Sequence, residues 1–207
     1  MPKSLPIVPS EVRSAGQVDL KPIPVNRYQL SVKEEKDRYP AGDLVRIYRD
    51  MAVIRGFENM LNEVKIKGGY QGIEYNHRGP AHLSIGQEAS AVGQAYLLGV
   101  DDHIYGSHRS HGEILAKGLS AIQKLDDDSL LKIMKSYMDG AVLKVLEKSG
   151  VSVGAAGSDV KSLAIDFLLY GALAEIFGRE AGFNKGMGGS MHAFFLPFGI
   201  YPNNAIV

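Results

Sequence analysis

The sequence has 207 residues, 45% of them hydrophobic and 22% charged, so it is long enough and apolar enough to bury a core. Lys and Arg together number 23, as do Asp and Glu, and this zero net charge gives no bulk attraction for nucleic acid or anionic lipid. The absence of cysteine excludes disulfides, thiolate metal sites and cysteine nucleophiles. No apolar run approaches the roughly 20 residues that span a bilayer, and no signal peptide is recognisable. A cytoplasmic protein with no nucleic-acid or membrane partner is therefore predicted.

The first forty residues differ in composition from the rest of the chain. They hold six of the nine prolines. Segments such as residues 21–25 (Lys-Pro-Ile-Pro-Val) cannot lie inside a helix and favour extended backbone. Residues 1–40 are therefore predicted to be an extended N-terminal arm, which is either a disordered tail or a segment that lies on a partner subunit.

Residues 43–67 predict a long helix, because apolar residues recur there at three- and four-residue steps. Asp43 is placed to cap its first turn, and the pair Gly68-Gly69 is placed to end it. The glycines and the proline within residues 69–85 predict a loop.

The next part of the chain predicts two shorter helices with a strand between them. The first helix covers about residues 86–98. Its inward residues are predicted to be Ala89, Val92, Ala95 and Tyr96. A short strand follows at 103–105. The second helix covers about 109–118 and is predicted to end at Gly118.

Residues 124–160 are predicted to be a helical insertion, with a helix at about 129–147 and a flexible Gly/Ser/Ala-rich loop at 149–158. A helix is predicted over 160–177 and a glycine-rich loop over 178–207. A doubly wound sheet needs several strands, and the pattern indicates only one or two. The fold class predicted for the chain as given is therefore mainly α.

Histidines are concentrated in one stretch of the chain. Five of the six fall between residues 77 and 111, close to Arg78 and Arg109. They are His77, His82, His103, His108 and His111. This clustering indicates a polar site rather than a core. One interpretation is a zinc site, because His108 and His111 stand three residues apart on one helix face, but neither a cysteine nor a nearby carboxylate completes a ligand set.

The segment 105–112 (Tyr-Gly-Ser-His-Arg-Ser-His-Gly) suits anion binding better. It lies where a strand passes into a helix, and free N–H groups at a helix start favour a phosphate. Arg109 adds a planar fork of donors, although a structural salt bridge is the alternative. The glycine-rich segment 182–192 lacks the Gly-Lys-Ser/Thr order of a phosphate loop. We reject nucleoside triphosphate binding there, and tight loop packing is the alternative.

Four motifs follow one another in a characteristic order. They are Tyr48-Arg49-Asp50-Met51 with Arg55-Gly56-Phe57-Glu58, then His82-Leu83-Ser84-Ile85-Gly86-Gln87-Glu88-Ala89, then Gly106 to Gly112, then Gly182 to His192 ending in Gly-Gly-Ser-Met-His. Together they resemble the alpha subunit, or alpha half, of the thiamine-diphosphate-dependent decarboxylating component of pyruvate, acetoin and branched-chain 2-oxo acid dehydrogenases. The resemblance covers about residues 41–120 and 170–207. It implies the N-terminal part of an α/β thiamine-diphosphate-binding fold, with a doubly wound parallel sheet that is incomplete here.

The resemblance implies cofactor-binding residues. In that family the segment matching 107–111 lines the cofactor site, so Arg109 would hold the diphosphate and His108 would lie beside the aminopyrimidine. His108 stands where the family usually has tyrosine. Ala205, where the family often has glycine, and Val207 belong to the stretch whose backbone would cradle the pyrimidine.

The resemblance also implies catalytic residues and a metal. His111 matches a histidine near the reaction centre, and His82 matches one that faces the substrate channel; an imidazole titrates near neutral pH and can relay protons. The family binds Mg²⁺ through a Gly-Asp-Gly segment followed by an asparagine, and we expect both beyond Val207. No metal ligand is therefore predicted within the chain. The glutamate that activates the thiamine ring is expected on the beta subunit.

The reaction implied is oxidative decarboxylation of a 2-oxo acid on thiamine diphosphate, with acyl transfer to a lipoyl group. The implied partners are a beta subunit or fused beta half, in a heterotetramer, and a lipoyl-bearing acyltransferase. The fragment by itself is expected to be inactive. Two alternatives are a transketolase-like or acetoin-cleaving thiamine enzyme without a lipoyl partner, and a non-catalytic fragment that only binds a partner. The insertion at about 124–160 resembles that of a subgroup in which some members fuse the alpha and beta halves.

Overall fold

The computed structural model describes residues 8–13, 15–16, 22–25, 27–151 and 159–202. The chain divides into two units, residues 1–38 and 39–207. In the first unit lie helices α1 (Pro9–Val12) and α2 (Val32–Lys36). Ser31 caps α2, because its Oγ accepts from the Glu34 amide and the Glu34 carboxylate accepts from the Ser31 amide. Two short helices thus interrupt the extended backbone predicted for residues 1–40.

The second unit contains the other helices and strands of the described residues. In chain order they are α3 (Ala41–Lys67), β1 (Gly69–Tyr70), β2 (Ile73–Glu74), α4 (Glu88–Ala95), β3 (Ile104–Tyr105), α5 (His111–Lys124), α6 (Asp127–Ser136), α7 (Ala141–Lys148), α8 (Val160–Ile176) and β4 (Ile200–Tyr201). β1 and β2 pair antiparallel, while β3 pairs in parallel with β4. Helices therefore dominate the described chain, and its sheets have two strands each, which confirms the mainly α fold class predicted for the chain as given. None of its helices has the length and apolarity to cross a membrane.

Helix α3 begins and ends for local reasons. It ends at Gly68, which adopts the left-handed conformation (φ 71°) that favours glycine, as predicted. The prediction that Asp43 caps the helix is wrong, because Pro40 is the capping residue and Asp43 lies within the first turn. The Asp43 carboxylate instead accepts a hydrogen bond from the Tyr96 hydroxyl, which raises the pKa of Tyr96.

The short elements after α3 differ from the predictions in detail. The predicted loop over 69–85 contains the β1–β2 hairpin. Helix α4 is shorter than the predicted 86–98, and it buries Ala91 where we expected Ala89, which is exposed. Helix α4 begins at Glu88, whose buried carboxylate accepts two hydrogen bonds from Arg55.

Helix α5 continues six residues beyond the predicted end at Gly118. Gly118 lies where α5 packs against α8, and a Cβ at this position would come within 2.6 Å of the Leu168 Cδ1 atom. A glycine inside a helix usually costs stability, but here the missing side chain allows close helix packing. The predicted end was wrong because that packing partner lies far along the chain.

The helix predicted over 129–147 is divided in two. Residues Tyr137–Gly140 form a short 3-10 segment, in which Met138 and Asp139 have positive φ angles of 48° and 53°. This break directs Tyr137 towards the core, where its hydroxyl donates to the Phe183 carbonyl oxygen. Burial raises the pKa of Tyr137 to about 12. The predicted loop at 149–158 lies mostly outside the described residues.

The core is built from buried residues of all the helices from α3 to α8, with apolar residues between 183 and 200 packed against them. Helix α8 matches its predicted span closely and buries Phe167, which belongs to an aromatic cluster. The Phe183 and Phe195 rings of the glycine-rich segment stack at 4.5 Å within this cluster. The glycine-rich segment is therefore fixed to the helices, and it is this attachment that brings it to the histidines.

Candidate functional site

His111, the first residue of α5, lies at the centre of a buried polar network. It is only 2% exposed. Its Nδ1 is 2.9 Å from Oε1 of Glu58 on α3, and its Nε2 is 2.9 Å from Oγ and 3.0 Å from the carbonyl oxygen of Ser190. Both ring nitrogens are thus occupied by groups from distant parts of the chain. Because a buried polar group left without a partner costs free energy, this network fixes the ring in one orientation.

Glu58 connects the same network to the second motif. Its side chain is completely buried, and its Oε2 accepts a hydrogen bond of 2.7 Å from the Ser84 amide. The Ser84 hydroxyl donates to the Arg109 carbonyl oxygen at 2.7 Å and accepts from the Gly112 amide at 3.2 Å. Residues from all four motifs, Glu58, Ser84, His111 and Ser190, are therefore joined by continuous hydrogen bonds.

The glycine-rich segment that carries Ser190 is shaped by a second buried carboxylate. Glu175 on α8 accepts from the backbone amides of Asn184 at 2.6 Å, Gly186 at 2.9 Å and Gly188 at 2.5 Å. Carboxylates bind such convergent N–H groups strongly. A Cβ at Gly186 or Gly188 would lie closer than 3.0 Å to backbone atoms, so glycine is needed there for close approach of the chain.

His82, His108 and Arg109 form the accessible part of the site. The His82 and His108 rings meet edge to face with centroids 5.5 Å apart. Desolvation by burial, together with the nearby His108 and Arg109, lowers the pKa of His82. The imidazole of His82 is thereby kept neutral around pH 7, a form that can both accept and donate a proton. The His82 amide donates to Ser190 Oγ at 3.1 Å, which ties this residue to the buried network.

Arg109 retains most of its donors for a ligand. It is exposed, and among the described residues its guanidinium makes one hydrogen bond, from Nη1 to the Leu83 carbonyl oxygen at 3.2 Å. Beside it, the Ser110 hydroxyl is buried and has no hydrogen-bond partner among the described residues. An arginine fork and an unpaired buried hydroxyl at the start of a helix are groups that an anion could satisfy.

The structure therefore brings together four of the residues singled out from the sequence, namely His82, His108, Arg109 and His111. His77 and His103 lie elsewhere, against Phe177 and Tyr201 respectively. Ala205 and Val207 lie outside the described residues, so their predicted contact with the cofactor stays a prediction. The zinc interpretation of His108 and His111 finds no support, since no group of three or more potential ligands occurs in the described part of the chain.

Sequence reasoning missed the two buried carboxylates and Ser190 as members of the site. Glu58 was quoted as part of a motif, but its partner His111 is 53 residues away. A signal was nevertheless present: Glu58 occupies the apolar face of α3 between Phe57 and Leu61, where a charged residue is unexpected. Glu175 similarly interrupts the buried face of α8.

Known proteins are similar to this chain over most of its length. Residues 54–133 match the family model described as dehydrogenase E1 component. The chain is 30% identical to the alpha subunit of acetoin:2,6-dichlorophenolindophenol oxidoreductase of Bacillus subtilis, over 88% of this chain and 36% of that protein. It is 28% identical to the pyruvate dehydrogenase E1 component subunit alpha of Rhizobium meliloti, over 80% of this chain and 32% of that protein. A mitochondrial counterpart from Schizosaccharomyces pombe is also 28% identical, over 97% of this chain and 35% of that protein.

The chain thus spans about a third of the length of the curated relatives it matches. No solved structure gives a significant match. The family match includes Glu58, His82, Arg109 and His111, the residues that the fold brings together. Residues 54–133 thus match the dehydrogenase E1 component family, and the chain is similar to part of the alpha subunits of its members.

Proposed function

We propose that the complete protein oxidatively decarboxylates a 2-oxo acid on thiamine diphosphate and transfers the acyl group to a lipoyl group of a partner acyltransferase. The lipoyl disulfide is the electron acceptor and is reduced as it takes up the acyl group. The observation that carries the proposal is the hydrogen-bonded network from Glu58 through His111 to Ser190, because it joins the four sequence motifs beside one accessible group of His82, His108 and Arg109.

The residues present fit this cofactor. Arg109 has unused donors, and Ser110 beside it has a buried hydroxyl without a partner among the described residues. We propose that Arg109 binds the diphosphate and that His108 lies beside the aminopyrimidine, where its ring can stack or hydrogen-bond. Ala205 and Val207 would contribute backbone contacts to the pyrimidine. We propose that an accompanying Mg²⁺ takes its ligands from outside the described residues.

When bound, the cofactor supplies the electron sink for loss of carbon dioxide, and the chain's own residues manage position and charge. The neutral His82 imidazole is suited to hold the substrate carboxylate or to move a proton at its ring nitrogen. Both nitrogens of His111 are already engaged. We therefore propose that the catalytic contribution of His111 is to hold Ser190, and with it the loop beside His82.

The partners in this proposal are a beta subunit, separate or fused, and the lipoyl-bearing acyltransferase. The names of the relatives support a beta subunit as partner, since these relatives are subunits designated alpha. We propose a cytoplasmic location. Because the relative from Schizosaccharomyces pombe is mitochondrial by name, cell fractionation decides between the two compartments.

A second candidate is cleavage of acetoin without a lipoyl partner. The specific observation in its favour is the 30% identity to the alpha subunit of an acetoin oxidoreductase. The two reactions differ in their products, because a 2-oxo acid releases carbon dioxide and acetoin does not.

The test is a product assay on the complete assembly. Pyruvate, branched-chain 2-oxo acids and acetoin are supplied in turn, with thiamine diphosphate, Mg²⁺ and a lipoylated acceptor. We expect carbon dioxide and acylated lipoyl groups from a 2-oxo acid. Turnover of acetoin alone would favour the second candidate, and turnover of none of them would support a chain that only binds a partner.

A further inference from the structure

A second polar cavity lies away from the histidine network. It has a volume of about 360 Å³ and lies between the loop that follows the β1–β2 hairpin and the C-terminal end of α8. Its lining residues are Tyr75, Asn76, His77, Arg78, Gly79, Ile176, Phe177, Gly178 and Arg179. None of them belongs to the group of His82, His108, Arg109 and His111, so this cavity is a separate feature.

The charged residues that line the cavity are all positive. Arg78 and Arg179 are cationic, His77 is titratable, and no carboxylate lines the cavity. Lys65 adds a third positive charge next to the lining residue Gly79, because its Nζ donates to the Gly79 carbonyl oxygen at 2.6 Å. In a chain with zero net charge, such a local concentration of positive charge attracts anions.

The two arginines leave donors free. Arg78 is exposed and makes no hydrogen bond or ion pair with any other described residue. Arg179 donates from Nη2 to the Tyr75 hydroxyl at 3.2 Å, and its guanidinium lies over the Tyr75 ring at 5.3 Å from the centroid. Its remaining N–H groups have no acceptor among the described residues.

Stacked rings hold one side of the cavity in place. The Tyr75 and Phe177 rings stack at 4.4 Å with an interplanar angle of 20°, and the His77 ring lies against Phe177 at 5.1 Å. Because Tyr75 also contacts Arg179, this stack orients that guanidinium before any ligand arrives. An oriented guanidinium loses less freedom on binding.

We propose that this cavity binds a small phosphate-bearing anion between Arg78 and Arg179. The planar fork of an arginine matches two phosphate oxygens at once, and the Asn76 amide, also in the lining, can donate to a third. The cavity is larger than an inorganic phosphate ion, so it accommodates a phosphomonoester of a small metabolite. This inference does not depend on the proposed function.

The test uses the complete protein saturated with thiamine diphosphate and Mg²⁺, so that the cofactor's own phosphate site is filled. Inorganic phosphate and glycerol 3-phosphate are titrated at constant ionic strength and followed by ³¹P line broadening, with glycerol as the competitor that lacks phosphate. We expect saturable binding of glycerol 3-phosphate that glycerol does not displace. Binding of inorganic phosphate alone would restrict the ligand to the free ion and overturn the phosphomonoester assignment.

Variants locate the binding. Arg78→Gln removes no contact with a described residue, so the fold is expected to be kept, and it should raise the half-saturation concentration about fivefold or more. Arg179→Gln should act in the same direction. Lys132→Gln, which removes an exposed charge outside the cavity, should leave binding unchanged. Absence of binding, or equal binding by the wild type and Arg78→Gln, would overturn the proposal.

Discussion

Replacement of Glu175 by Gln should loosen the glycine-rich segment without removing an apolar contact. Glu175 is completely buried on α8, and its two carboxylate oxygens accept three backbone N–H groups. A glutamine has one oxygen and one NH₂ group, which cannot accept. If the NH₂ group replaces Oε1, the Gly188 N–H loses its acceptor. If it replaces Oε2, the N–H groups of Asn184 and Gly186 lose theirs.

The size of the effect follows from these contacts. A hydrogen bond to a charged group contributes about 1.5–3 kcal/mol, a neutral one about 1 kcal/mol, and an unsatisfied buried N–H costs about 1–3 kcal/mol. Glutamine also avoids the cost of burying a charge, which offsets part of the loss. We therefore expect the free energy of local opening to fall by about 1.5–3 kcal/mol, which corresponds to a factor of about 10–150.

Hydrogen exchange measures this opening directly. In the complete protein, the peptide that covers residues 182–192 should exchange faster in Glu175→Gln by that factor. Glu180→Gln is the matched control, because Glu180 is exposed and makes no hydrogen bond with a described residue. Unchanged protection in Glu175→Gln would refute the view that this carboxylate holds the segment that positions Ser190.

Three further predictions concern other parts of the chain in the complete protein. Hydrogen bonding to Arg55 lowers the pKa of Glu88 from 4.5 to about 2, so the ionised carboxylate stabilises the fold above pH 4.5 and this stabilisation is lost as the pH falls towards 2. Glu88→Gln should therefore lower the free energy of unfolding, measured in urea, by about 1 kcal/mol at pH 7 and by almost nothing at pH 2; the value at pH 7 is small because Arg55 is half-exposed. An equal cost at both would refute this. Overlap of the Gly118→Ala methyl group with Leu168 should cost about 1–3 kcal/mol, and the better helix propensity of alanine offsets up to about 1 kcal/mol of this, so Tm should fall; an unchanged or higher Tm would show that the overlap is relieved at no net cost. His82→Ala should lower kcat at saturating cofactor while the cofactor half-saturation stays the same; an unaltered kcat would exclude the proposed role.

Local signals in the sequence predicted the long helices well. The span of α8, predicted as 160–177, was correct to within one residue, because the residues that form a helix are adjacent in the chain. The end of α3 at Gly68 was predicted because a glycine in the left-handed conformation is a local signal. The end predicted at Gly118 was wrong, since close packing against Leu168 is set by tertiary structure.

The parallel pair of β3 and β4 illustrates a different limit. Its partners are 96 residues apart in register, from Ile104 to Ile200, and each strand has two residues. Strands this short have no periodicity to detect. β3 was predicted as a short strand at 103–105, whereas β4 lay within a segment predicted to be loop.

The candidate site was predictable in its accessible half. Clustering drew attention to His82, His108 and Arg109, which the fold brings together, and also to the buried His111. Its buried half was not predictable, because Glu58 contacts His111 only when α3 packs against the start of α5. Pairings between distant segments leave no local pattern, so a charged residue on an apolar helix face is the one indication that a sequence offers.

The central claim is that Arg109 and the histidines beside it form this chain's part of a thiamine diphosphate site. The most direct test is titration of the complete apoenzyme with the cofactor for the wild type, Arg109→Ala and Lys132→Ala, which removes an exposed charge on α6. A diphosphate contact is made equally in the ground and transition states. We therefore expect Arg109→Ala to raise the half-saturation concentration about tenfold or more, with most of the rate recovered at excess cofactor, and Lys132→Ala to match the wild type. A half-saturation concentration unchanged by Arg109→Ala, or a lost rate that excess cofactor does not restore, would contradict the claim.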